Sequence, residues 1–91
     1  MKKRHIPVIS FNDLDSKIQK PKVYQSLIEG ISEAVEVNSN EIKLCEVKNS
    51  DIYITVEKQE WKKSLDSALQ FYIDKEEYEE YSKIKELIDR L

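Results

Sequence analysis

One histidine, His5, one cysteine, Cys45, and one glycine, Gly30, are all this chain offers to three broad kinds of site chemistry. Nucleophilic catalysis needs a base within hydrogen-bond reach of an activated Ser or Cys, and His5 lies in a basic terminal stretch where chains are poorly tied down. Transition-metal sites draw on several His and Cys residues, and one of each, far apart in sequence, makes no such set. Phosphate cradles need closely spaced glycines so that backbone amides can approach the anion, and Gly30 sits inside a helical pattern. The expectation is a non-enzymatic protein with no cofactor and no metal.

Carboxylates and aromatics are what the sequence concentrates, in Glu76-Glu77-Tyr78-Glu79-Glu80-Tyr81. Together with Asp74, this run lacks the one-three-five ligand spacing and the central glycine of a calcium loop. At the start of a helix the same charges favour the positive end of its dipole, by about 0.3–1 kcal/mol for each well-placed group. The aromatics carry a separate meaning. Trp61, Tyr72, Tyr78 and Tyr81 are of the types that dominate protein interfaces, and they define the candidate partner-binding set. Carboxylates beside Tyr72, Tyr78 and Tyr81 would repel a phosphate backbone, whereas Tyr53, near Lys43, Lys48 and Lys58, is better placed to stack on a base.

The elements that must position these residues follow from periodicity. Val23, Tyr24, Leu27, Ile28, Ile31, Ala34 and Val35 recur at three- and four-residue spacing and predict a helix from Pro21 to the exit Asn38-Ser39-Asn40. Gly30 inside it costs about 1 kcal/mol relative to alanine and points to close packing. Glu41–Val47 and Asp51–Glu57 predict an antiparallel hairpin around Lys48-Asn49-Ser50-Asp51, with Ile52, Ile54 and Val56 on one face and Tyr53, Thr55 and Glu57 on the other. A lone hairpin is marginal in water, and Ile6–Ile9, restricted to an edge by Pro7, is the candidate third strand. Asn12–Ser16 and the polar run into Pro21 read as a connecting loop.

Trp61, Leu65, Ala68, Leu69, Tyr72 and Ile73 mark a helix beginning near Lys58, and Tyr78, Tyr81, Ile84, Leu87, Ile88 and Leu91 mark another. The break at Asp74-Lys75 is short, which favours two antiparallel helices over 61–91. It contains neither Gly nor Pro, so one bent helix is the alternative.

At 91 residues and 10.8 kDa the chain suits one domain, and the fold class expected is α+β: a helix, a β-hairpin and a C-terminal helical hairpin. No apolar stretch approaches a membrane span, and no signal core follows the basic start, so a cytoplasmic protein is expected. The lone cysteine fits a reducing compartment. Abundant lysine, isoleucine and asparagine hint at an AT-rich bacterial or phage genome. Net charge is −3, yet residues 1–22 carry +4 and residues 23–91 carry −7. Residues 1–5 form a basic arm, expected to be mobile, on an acidic body.

The segment from Glu77 to Leu91 resembles the second helix of the UVR motif, a short antiparallel hairpin of nucleotide-excision-repair subunits and some bacterial protease adaptors. Glu77-Tyr78-Glu79 matches the acidic-aromatic-acidic opening, and Ile84, Ile88 and Leu91 fall on the apolar positions. The chain departs from the motif at Tyr81-Ser82, where the motif has two alanines, and at Lys85-Glu86, where it has Arg-Asp. The resemblance implies a protein–protein contact. The functional expectation is a small interaction or accessory protein, self-associating or docking through its C-terminal hairpin. The alternative is a nucleic-acid-associated protein using Lys2, Lys3, Arg4, Lys17, Lys20 and Lys22, whose binding would fall steeply with salt.

Overall fold

In the computed structural model, which describes residues 6–13 and 19–91, the predicted helix stripe becomes α1 (Lys20–Val37). Pro21 occupies the first turn, where its missing N–H leaves no bond unmade. Leu27, Ile28, Ile31 and Ala34 are buried and Val23, Tyr24 and Val35 half-buried, so the periodicity is the buried face. The helix ends at Asn38, which takes a left-handed conformation (φ 57°), and Ser39 N–H reaches the Ala34 carbonyl at 2.9 Å. Ser26, Gly30 and Ala34, four residues apart, form a buried line of small side chains. Ser26 at its head donates its hydroxyl to the Leu44 carbonyl, so this line is the side on which α1 meets the sheet.

The sheet is three-stranded, in the order β1 (Val8–Ile9), β2 (Glu41–Val47), β3 (Tyr53–Glu57). β2 and β3 form the expected antiparallel hairpin, with Ile42 opposite Val56 and Cys45 opposite Ile54. A bulge between Lys43 and Cys45 leaves Leu44 without a partner across the ladder. Its carbonyl is the one Ser26 satisfies, which also gives the buried Ser26 hydroxyl its partner. β1 joins the other side of β2 in parallel, Val8 against Glu46 and Ile9 against Val47, and makes the sheet mixed. Ile9 faces inward and is buried, while Val8 is exposed on the opposite face. A short 3-10 turn, Phe11–Asp13, follows. The rest of the expected loop, the arm 1–5 and Lys17 lie outside the described residues.

β3 runs directly into α2 (Lys58–Asp74) with no connecting residue. Trp61, in the first turn of α2, is fully buried and donates its indole N–H to the Val56 carbonyl at 3.0 Å, pinning the joint. After Asp74 the chain turns and returns as α3 (Tyr78–Asp89), packed on α2, so the stripe break is a true reversal and not a bend in one helix. The turn has the hydrogen bonds of a Schellman motif: Glu77 N–H to Tyr72 C=O (2.9 Å) and Glu76 N–H to Ile73 C=O (3.0 Å). Glu76 takes the left-handed position (φ 58°) where glycine is usual.

α1 packs over β2 and α2 against β3, and α3 packs on these two helices. Leu27, Ile31, Ile42, Trp61, Leu65 and Ile84 are among the residues of the single core cluster between the layers. This is the α+β domain the patterning implies. Among the described residues, no helix is long and apolar enough to cross a membrane.

Candidate functional site

The four aromatics of the expected docking surface separate into two pairs. Trp61 and Tyr72 are 0% and 2% exposed, inside the chain's own core. This corrects the expectation that they face a partner. α1 packs on the helical hairpin and covers Tyr72, its Tyr24 ring 6.3 Å away, while the Trp61 indole bonds to the Val56 carbonyl of β3, neighbours that periodicity within the hairpin cannot reveal. Tyr78 is 63% exposed at the start of α3, and Tyr81 is half-buried, with the Lys85 ammonium 5.7 Å from its ring centroid. Ile73, grouped by spacing with the core stripe of α2, is also exposed. The outward surface of the elbow therefore offers Ile73 and Tyr78, with Asp74, Glu76, Glu77 and Glu79 exposed along the same turn.

Behind the elbow lies a polar bridge that the sequence does not announce. The Gln25 side-chain amide of α1 donates to the Tyr72 hydroxyl on α2 (3.1 Å) and to the Glu80 carboxylate on α3 (2.9 Å). One amide thus ties the three helices together. The Tyr72 hydroxyl is pushed above the ordinary tyrosine range, first by burial and further by the nearby charges of Glu80 and Glu77, while the hydrogen bond from Gln25 opposes the shift. Around it, Phe71 meets Tyr72 edge-on (5.0 Å between centroids) and Tyr24 at 4.9 Å, and the Lys75 ammonium sits 4.7 Å above the Phe71 ring. Phe71 lies beside Tyr72 but outside the three-four stripe, and Gln25 is a polar residue between two stripe positions. Neither carries a sequence signal of its role.

Between α1 and α3 runs an open groove of about 500 Å³, floored by Ile28 and lined by Gln25, Glu29, Glu33, Glu36 and Glu80. Glu29, Glu33 and Glu36 recur at four and three residues along α1, a pattern visible in the sequence. Lys83 pairs with Glu80 at 3.4 Å, but it is well exposed, and such pairs contribute little. Among the described residues, no group of His, Cys, Asp and Glu is arranged to hold a metal ion.

Of the alternative basic set, Lys20 and Lys22 lie in the first turn of α1, Lys20 half-buried and Lys22 exposed, while Lys2, Lys3, Arg4 and Lys17 fall outside the described residues. Tyr53 stands on the outer face of the sheet with the Lys43 ammonium 4.3 Å from its centroid, so its exposed ring already has a cation against it. Cys45 is fully buried and its thiol is pushed up by that burial, the condition of an inert structural cysteine. No protein-family model, curated protein or solved structure matches the chain.

Proposed function

We propose that this chain is a small, non-catalytic interaction protein that docks on a partner protein through the outward side of the α2–α3 elbow. The observation that carries the reading is Tyr78, 63% exposed on a helical hairpin whose Trp61 and Tyr72 are buried and whose Phe71 and Tyr81 are half-buried. A tyrosine held this way presents apolar area and a hydroxyl at little conformational cost. The carboxylates around it select a basic rim on the partner, and like charge there rejects acidic surfaces. The likeness of Glu77–Leu91 to the second helix of the UVR motif supports the same use.

A photo-crosslinking residue placed at Tyr78, with a control at exposed Lys63 on the body of α2, tests it in cells. The expected result is a discrete adduct at position 78 that the control lacks. With the adduct protein purified, Tyr78→Ala should weaken binding about 30-fold, the effect of losing a ~2 kcal/mol hot spot. Equal labelling at both positions, or unchanged affinity of the Tyr78→Ala chain, overturns the reading.

A further inference from the structure

We propose that β3 is a self-pairing edge, through which two copies of this chain join into one continuous sheet. The two edges of the sheet differ. β1 is two residues long and begins after Pro7, the kind of short, proline-flanked strand that discourages further pairing. β3 is Tyr-Ile-Thr-Val-Glu, rich in β-branched and aromatic residues, with no lysine, proline or bulge of its own and no neighbour on its outer side among the described residues.

The backbone of β3 also selects the register. Val47 N–H bonds to Ile52 C=O and Lys58 N–H to Asn40 C=O, both at 2.9 Å or less, so the even-numbered residues 52–58 turn their peptide groups toward β2. By the alternation of an antiparallel ladder, Tyr53, Thr55 and Glu57 turn theirs outward. A two-fold axis at Thr55 uses all three: Thr55 exchanges both bonds with Thr55 of the second copy, and each Glu57 N–H meets a Tyr53 carbonyl. Glu57 C=O is directed into the first turn of α2, whose N-cap is Glu57.

Side chains agree with that register. Thr55 faces Thr55 and Tyr53 faces Glu57 on the outer surface, so no like charges are opposed. On the inner surface Ile54 faces Val56, and these two half-buried residues gain cover from each other. A parallel arrangement would instead set the two Glu57 carboxylates side by side. The occupant that satisfies both backbone and side chains is a second copy in antiparallel orientation. This holds whether or not the elbow docks a partner.

Sedimentation equilibrium of the full chain should give a species near twice 10.8 kDa at concentrations up to about 1 mM, a range that detects even weak association. Thr55→Lys, at an exposed position, sets two lysines opposite each other and should raise the dimer dissociation constant by at least about tenfold with unchanged circular dichroism. Thr55→Cys should form a disulfide-linked dimer on mild oxidation, because directly opposed residues lie within reach of that bond, while Glu57→Cys should not. A monomer across the range, a Thr55→Lys chain that associates like wild type, or equal linking at positions 55 and 57 overturns the proposal.

Discussion

Trp61 and Tyr78 both belong to the C-terminal helical hairpin, both head an apolar stripe, and they end on opposite sides of the protein's surface. Trp61 has Val56 to accept its N–H and shares the core with Leu27 and Ile31 of α1; Tyr78 follows the Schellman turn and stays exposed at the start of α3. The difference teaches that an aromatic stripe records which face is apolar, not who covers it. Cover is decided by an element distant in sequence, here α1.

The comparison breaks most visibly at Trp61. Trp61→Ala removes the largest buried side chain and should cost about 3–5 kcal/mol, read as a fall in the urea midpoint. That is a large part of the stability of a domain this size. If the loss is small, Trp61 is not the anchor described and the contrast with Tyr78 collapses.

Tyr72→Phe sharpens the contrast at an intermediate scale. It keeps the ring and removes the acceptor for Gln25, for an expected loss of about 1 kcal/mol. It also has a pH signature. The folded chain holds the phenolic proton more tightly than the unfolded chain, so this contribution is fully present below the unfolded value, about pH 10, and is lost as pH rises through the higher folded value. Tyr72→Phe lacks this component, so its stability should decline less steeply in that window than wild type. Cys45 acts in the same direction and is present in both chains. Chemical denaturation at a series of alkaline pH values reads the difference.

The smallest expected effect is at Tyr78 itself. Tyr78→Ala should change folding stability by less than about 0.5 kcal/mol in thermal or urea melts. A loss approaching that of Trp61→Ala would mean that the ring supports the fold and is not held out for a partner.

Much of the architecture was legible in the residues because burial follows period. Ile42 and Val56 alternate inward and Leu27, Ile31 and Ala34 recur at helical spacing, and each is placed by that rule. The bulge was not legible: Leu44 is an ordinary strand residue, and its carbonyl finds its donor in the Ser26 hydroxyl of α1, an element distant from it in sequence. Glu76 was equally silent, since glycine usually marks the left-handed turn and here the chain tolerates a residue with a Cβ. Of the candidate site, the sequence pointed to four aromatics and could not tell that Trp61 and Tyr72 are buried while Tyr78 is exposed and Tyr81 half-buried. The Gln25 bridge joins residues whose proximity arises solely from the packing of three helices.

The direct passage from Glu57 to Lys58 leaves the molecule without a hinge between strand and helix. No linker residue can absorb a rotation there, and the Trp61 indole fixes the joint from inside. Whatever grips the outer edge of β3 therefore also sets the heading of α2 and, through the elbow, the direction in which Tyr78 points. Two surfaces on different elements behave as the two arms of one bracket. A pair of copies joined at β3 would hold their elbows at one fixed span, ready to measure the spacing of whatever they meet.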